Sequence, residues 1–355
     1  MVEFDVGILS FLPADATQFG EGALSNLLVA RNMLILGQAY GVRMGLFSTD
    51  HFLCRDGQAS AMACFWDGSS LRWEQAVLPP ILENIFPASE KVYRNVPAAF
   101  SVWLKKQPLL NGASLPKQHV ASALILHGYG AYMIPTKDVA SFSDLRAAVA
   151  LWKHCVVKPA SGRKGLGVSY LEQQQDGIYY RNTDDSGLLT EDAWDGLCAR
   201  YPSFTRYLLQ PQLDFHCADG HALDFRLLVS KGGTGHWETV AIYARIGAGS
   251  IVSNVSRGGY IGSGAGVLKE EFPDASDRLL DTLKLLAEQV PQIVESYCKE
   301  PVSCYGIDVG IDRGSLCPYV IEVNTFPGTR FHAWQLAEKR VQYFKYLLQT
   351  GKSSR

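Results

Sequence analysis

The chain of 355 residues exceeds the roughly 250–300 that a single hydrophobic core sustains, so two or three subdomains are expected. Its 47% apolar and 19% charged residues are those of a globular protein and exclude a disordered one. A net charge of -2 gives no bulk drive toward nucleic acid or acidic membrane, so any anion binding must come from local placement.

Taken in chain order, M-V-E-F-D-V-G-I-L-S is acidic, starts a strand at once (4–10) and lacks the basic and long apolar regions of a signal peptide. Residues 22–39 have helical apolar spacing, Gly41 stops them, and V-R-M-G-L-F-S reads as a second strand. This β-α-β opening predicts a parallel sheet. A-M-A-C-F-W and L-R-W-E-Q-A-V-L, separated by D-G-S-S, read as a hairpin. P-P-I-L-E-N-I-F-P breaks the pattern, and V-Y-R-N-V is a further strand candidate. A first domain is placed at 1–110, a central one at 111–207 and a C-terminal one at 208–355.

Beyond it, a helix is expected from Lys117 to about Tyr129, a short strand at M-I-P, and a helix over 142–151 capped by Ser141 or Ser143. H-C-V-V-K-P (154–159) is a buried strand, V-S-Y-L a strand, 190–200 a helix, and Y-L-L-Q-P-Q-L (207–213) a strand ending at proline. D-F-R-L-L-V-S and T-V-A-I-Y-A-R-I are long antiparallel strands, and 275–298 is an amphipathic helix. C-Y-G-I-D-V-G-I-D and Y-V-I-E-V-N form a hairpin, a last helix covers Ala333–Leu348, and G-K-S-S-R is a tail. No apolar run reaches the ~20 residues of a membrane span. The eight cysteines show no C-x-x-C pair, which fits buried free thiols in a reducing cytosol.

S-G-R-K-G-L-G (161–167) lies between two strands, whereas a P-loop or dinucleotide fingerprint needs a helix after its glycines. It is therefore a β-turn flap, either covering a polyphosphate with backbone N–H groups, Arg163 and Lys164, or standing as an exposed basic turn. Lys158 ends the preceding apolar strand, where a lysine either meets an anion or snorkels to solvent. Glu322 and Asn324 are two apart on one strand and share a face, with Asp308 on the paired strand. Such an oxygen set suits Mg²⁺ bridging nucleotide phosphates, the alternative being turn chemistry, to which Asp312 is assigned. His216 and His221 lack a metal partner set and read as loop histidines, or otherwise as substrate contacts.

In this order, K-P-A-S-G-R-K-G-L-G, L-L-Q-P-Q-L-D, D-F-R-L-L-V and G-I-D-V-G-I-D…I-E-V-N-T-F-P-G resemble the ATP-grasp superfamily over about 117–330. With V-G-I-L-S, V-Y-R-N, N-G-A-S-L-P-K and S-I-V-S-N-V-S-R-G-G, nearly the whole chain resembles the YheC/YheD family, whose founders are associated with bacterial spore coats. The resemblance implies an α/β ATP-grasp fold of α+β lobes behind an N-terminal Rossmann-like domain.

It further implies ATP and one or two Mg²⁺ ions as cofactors, with Mn²⁺ an admissible substitute. Lys117 and Lys158 would reach the α- and β-phosphates, and Ser161, Gly162, Arg163, Lys164, Gly165 and Gly167 would close over the triphosphate. Gln210, Pro211, Gln212 and Leu213 would form the adenine hinge, and Asp214 would hold the ribose. Gln210 departs from the glutamate often found at that hinge. Arg226 and Arg245 would face the γ-phosphate and acceptor, Asn254, Arg257, Gly258 and Gly259 the acceptor carboxylate, and Asp308, Glu322 and Asn324 the metal.

The function implied is a carboxylate–amine ligase working through an acyl phosphate. Its partners would be a small carboxylate and an amine, amino acids or a peptide, with neither nucleic acid nor membrane; a homodimer is compatible. A small-molecule kinase and a nucleotide-binding coat protein without turnover are the rivals. A cytoplasmic location is expected.

Overall fold

A computed structural model describes residues 1–10, 25–85, 96–112, 115–160, 167–182, 184–200, 206–247, 259–328 and 330–351. The chain forms two compact units: Met1–Gly130, His216–Gly310 and Val320–Arg355 make the first, Ala131–Phe215 and Ile311–Tyr319 the second.

The first unit opens with β1 (Val6–Leu9), buried along its length, then α1 (Ser25–Tyr40) and β2 (Met44–Phe47), parallel to β1. The helix stops at Gly41, whose φ of 70° suits a residue without Cβ. Next come β3 (Leu53–Arg55), β4 (Gln58–Trp66) and β5 (Leu71–Val77). The β4–β5 hairpin is antiparallel as read, and its turn is tied by Asp67, which accepts from the backbone of Ser69 and Ser70 at 2.8 and 2.7 Å. The P-P-I-L-E-N segment does not break the sheet. It forms β6 (Ile81–Asn84), fully buried and parallel to β1. Then follow α2 (Ala98–Leu104), β7 (Leu109–Leu110), parallel to β6, and α3 (Lys117–Leu126). The sheet order is β3-β4-β2-β1-β6-β7, with β5 on β4. The V-Y-R-N-V candidate lies almost wholly outside the described residues.

The second unit holds β8 (Lys137–Val139), α4 (Phe142–Trp152), β9 (His154–Pro159), β10 (Ser169–Gln173), β11 (Ile178–Arg181), β12 (Ser186–Leu188), α5 (Glu191–Ala199) and β13 (Tyr207–Pro211). The strand expected at M-I-P is displaced to β8. Ser141 caps α4 by accepting from Asp144 N at 3.1 Å, and Thr190 caps α5 from Ala193 N at 3.2 Å. The antiparallel sheet runs β12-β11-β10-β9-β13-β8. Leu145, Val149 and Trp194 of the two helices join Val157, Leu171 and Leu209 in one core, so one face of this sheet is covered.

The chain returns to the first unit for β14 (Leu223–Lys231), β15 (Trp237–Ile246), β16 (Tyr260–Ser263), α6 (Gly264–Glu271) and α7 (Ser276–Ser296). β17 (Cys304–Asp312), β18 (Cys317–Asn324) and α8 (Ala333–Thr350) follow. Leu279, Leu283, Leu286, Val290 and Val294 bury one stripe of α7, which packs on β14 and β15. The second sheet is ordered β16-β15-β14-β17-β18, and α8 packs on both α1 and β14. All eight cysteines are free thiols. Among the described residues no helix is long and apolar enough to cross a membrane.

Candidate functional site

Asp224 and Arg226 are two apart on the buried central strand β14, so they share a face. Arg245 on β15 stands opposite Asp224, and Asp308 on β17 stands opposite Arg226. The register thus assembles two arginines and two carboxylates on one patch, with Asp224, Arg226 and Asp308 all under a tenth exposed. Arg226 donates to Asp308 through Nε and, at 3.0 Å, through Nη2. Arg245 donates to Asp224 through Nε at 2.5 Å and Nη2 at 2.8 Å, and its Nη2 also lies 3.0 Å from Asp308 Oδ2. Burial alone would lower the Arg245 pKa; the Asp308 and Asp224 charges outweigh it and hold the guanidinium well above its ordinary value. The four charges sum to zero, and a buried cluster of this kind is a poor source of stability but fixes where each group points.

Gly306, two residues before Asp308, makes room for Arg226 and Pro327. A Cβ there would lie 2.6 Å from Pro327 Cβ and 2.8 Å from Arg226 Nη1.

Glu322 and Asn324 are half-buried on β18, next to β17 in the sheet. Among the described residues no three His, Cys, Asp or Glu side chains cluster in a metal-binding group. What the strands offer is an oxygen-only set of two carboxylates and an amide. Those hard donors fit Mg²⁺, which takes few protein ligands and fills the rest with water and phosphate. Asp308 accepts three arginine N–H contacts, and a carboxylate has about four acceptor positions, so its capacity for a cation is nearly used in this state.

Asp312 is the turn residue that the sequence predicts. Its Oδ2 accepts from Ser315 N at 2.9 Å and Ser315 Oγ at 2.7 Å, and its Oδ1 accepts from Asp214 N at 2.8 Å. Burial would raise its pKa, but the Ser315 hydroxyl and the two backbone donors prevail and hold it below its ordinary value.

In the second unit, Lys158 pairs with Leu208 and Val156 with Gln210. Opposed residues share a face, so Lys158, Leu208 and Gln210 lie on the side away from the helix-packed core. Lys158 is half-buried. Gln210 donates to Thr136 Oγ1 at 2.7 Å, and Gln212 N–H reaches the His154 carbonyl at 2.9 Å just after Pro211. Leu213 is half-buried and Asp214 exposed. Gly167 enters β10 with φ of 73°.

Ser161, Gly162, Arg163, Lys164 and Gly165, together with Asn254, Arg257 and Gly258, lie outside the described residues. Lys117 opens α3 in the first unit. His216 bridges Ala222, and Cys217 N–H meets the His221 carbonyl at 2.7 Å, which makes a tight loop of this segment. His221 Nε2 lies 3.8 Å from Asp219.

Three buried charged residues escape a sequence reading. Asp224 lies within D-F-R-L-L-V, and its signal is the i, i+2 pairing with Arg226 on a strand. Glu83 and Arg340 carry no local signal. Arg340 Nε donates to Glu83 Oε1 at 3.0 Å across 257 residues, which only the fold brings together.

The sequence profile of YheC/D-like ATP-grasp domains matches residues 106–353. The chain is 23% identical over 323 residues to the endospore coat-associated protein YheD of Bacillus subtilis, covering 80% of this chain and 70% of that one. It superposes on D-alanine–D-alanine ligase from Bacillus anthracis complexed with ATP at a TM-score of 0.51 and 11% identity, over 98% of this chain and 99% of the other. It matches the ATP-grasp ligase PsnB, complexed with minimal precursor, Mg and ADP, at 0.51 and 14% identity, over 96% and 98%. The fold is ATP-grasp, with helices and several sheets, and the chain belongs to the YheC/D-like ATP-grasp family.

Proposed function

We propose that the chain is an ATP-dependent carboxylate–amine ligase. The observation that carries this reading is the buried Asp224–Arg245–Asp308–Arg226 cluster, one strand from the oxygen ligands Glu322 and Asn324. It fixes two guanidinium groups beside a strand whose Glu322 and Asn324 suit a cation, and this supports the reading because phosphoryl transfer rests on positioning and charge stabilisation.

In the proposed reaction a substrate carboxylate oxygen attacks the γ-phosphorus, the bond to the bridging oxygen breaks, and ADP leaves. An amine then attacks the acyl carbon of the acyl phosphate, phosphate departs, and the amine loses a proton as the amide forms. Lys117 and Lys158 hold the α- and β-phosphates, and residues 161–167 cover the triphosphate. The chain from Gln210 to Leu213 receives adenine, and Asp214 the ribose. Arg226 and Arg245 stabilise charge on the transferred phosphoryl group, and Asn254 and Arg257 meet the acceptor. Glu322 and Asn324, with Asp308, would hold Mg²⁺, which would supply charge neutralisation for the phosphates. Substrates are amino acids or a peptide. Domain limits at 1–110, 111–207 and 208–355 belong to the same proposal.

The test is ADP release by purified protein with ATP and Mg²⁺ against pools of amino acids and small carboxylates, with mass spectrometry of products. A product lighter by one water than its two precursors supports the ligase. A phosphorylated product without an amide makes it a kinase. Nucleotide binding with no ADP from any pool favours the second reading, a coat protein without turnover, which the coat association in the relative's name supports.

A further inference from the structure

An amine becomes a nucleophile only after its ammonium has lost a proton, so amide formation calls for a proton acceptor beside the reacting carbon. The carboxylates of the buried cluster are committed elsewhere. Asp224 takes the N–H groups of Arg245, and Asp308 those of Arg226 and Arg245.

Tyr243 leads to another group. It stands opposite Arg226 and two residues before Arg245 on β15, so its side chain shares the face of the four charges. It is buried, and its hydroxyl feels the charges of Arg226, Arg245, Asp308 and Asp224. α8 packs on β14 and β15, with Ala333, Leu336 and Ala337 in the same core as Leu228 and Tyr243. The residue before α8 therefore falls beside Tyr243. It is His332, the end of a short helical turn (Arg330–His332), and its ring centroid lies 4.8 Å from that of Tyr243 at an interplanar angle of 34°.

His332 stands at the N-cap position of α8, yet its side chain makes no capping hydrogen bond. The ring is half-buried, and the aromatic side chains on either side of it, Phe331 and Trp334, are exposed. The approach is thus open and lined with π-faces, to which an ammonium is drawn. The ionisable groups on neighbouring elements have partners of their own: Glu338 accepts from Tyr40 of α1, Lys339 pairs with Glu238 of β15, and Arg340 with Glu83. Arg31 of α1 is exposed. Burial holds the His332 pKa below its ordinary value, and the positive end of α8 acts in the same sense, so at neutral pH the ring is uncharged and can accept a proton.

We infer that His332 is the catalytic base of the ligation step, receiving a proton from the ammonium of the amine substrate. The nitrogen so freed attacks the acyl carbon. As the bond from that carbon to the phosphate oxygen breaks, the nitrogen's second proton leaves with the phosphate, and His332 returns the first to water. The inference rests on the ligase reading and adds a residue outside the motifs that point to phosphate and metal.

The experiment sets hydroxylamine, largely unprotonated at neutral pH, against amino acids, whose amino groups are protonated. Parent and His332→Ala receive ATP, Mg²⁺ and the pools of amino acids and small carboxylates, with and without hydroxylamine, and mass spectrometry reads amide and hydroxamate. The ratio of amide to hydroxamate should fall about 100-fold in His332→Ala, the scale of general-base catalysis, and free imidazole in the buffer should restore part of it. If His332→Ala does not fold, His332→Gln, which fills the space but takes no proton, should show the same fall. An unchanged ratio, or an equal loss of both products without rescue by imidazole, overturns the inference and leaves the ligase reading standing. So does hydroxamate from the parent with no amide from any amino acid. A parent that forms neither product removes the ligase reading and the inference with it.

Discussion

The guanidinium of Arg226 occupies the space where a Cβ on Gly306 would stand, with Nη1 2.8 Å from that point. Glycine is therefore required for sterics alone at this position, since its backbone is ordinary extended strand. Gly306→Ala should push Arg226 off Asp308 at an overpacking cost of about 1–3 kcal/mol. Urea unfolding measures that loss, and ADP release should fall with it because Arg226 is displaced from its carboxylate.

Removing one anion from the four-charge cluster leaves a buried cation uncompensated. Asp224→Asn should lower unfolding free energy by about 3–5 kcal/mol. Asp224→Leu combined with Arg245→Met should cost less than the single change, because it removes a charge of each sign. Chemical denaturation of the three proteins decides the order.

Glu322→Gln keeps the shape of the half-buried side chain and removes its charge. ADP formation dependent on Mg²⁺ should fall by about 100-fold or more, with the thermal midpoint little changed. Turnover at the parent rate would remove Glu322 from the metal site.

The Asp312 carboxyl is held below its ordinary value by the Ser315 hydroxyl, Asp214 N–H and Ser315 N–H against the opposing effect of burial. A carboxyl depressed by folding adds stability that is fully present above about pH 4 and is lost as pH falls through the folded-state value. Asp312→Ala should therefore unfold at lower urea than the parent at neutral pH, and the gap should close in acid. A gap independent of pH would show that the turn gains nothing from the charge.

Burial pushes the Cys64 thiol up to about 12 and Cys155 to about 11, so neither forms thiolate near neutral pH. Exposed Cys54 should be alkylated first in the native protein, with Cys64 and Cys155 reacting only after denaturation. Mass spectrometry of timed samples reads the sequence of labelling.

Much of the architecture was legible because local rules were obeyed. The D-G-S-S turn, the cap at Ser141 and the stripe of α7 each depend on residues near in sequence. β6 was hidden because Pro79 and Pro80 precede it and because a strand buried on both faces has no alternation to read. That Glu322 and Asn324 stand two apart on one strand, beside the strand that carries Asp308, was legible because period two and the hairpin are local features. That Asp308 would be bound by two arginines was not, since it depends on the register of β14 against both β15 and β17.

Arg340 has a consequence for how the chain comes to be folded. Its carboxylate partner, Glu83, lies 257 residues earlier, and α8 covers α1. A sheet made before α8 during synthesis therefore carries a buried acid without its cation and an uncovered helix until α8, 257 residues further on, has emerged. The β1–α1–β2 unit is in this sense an unfinished object until α8 is made, and a chain cut short before Ala333 would be cleared by proteolysis rather than persist as a smaller working protein.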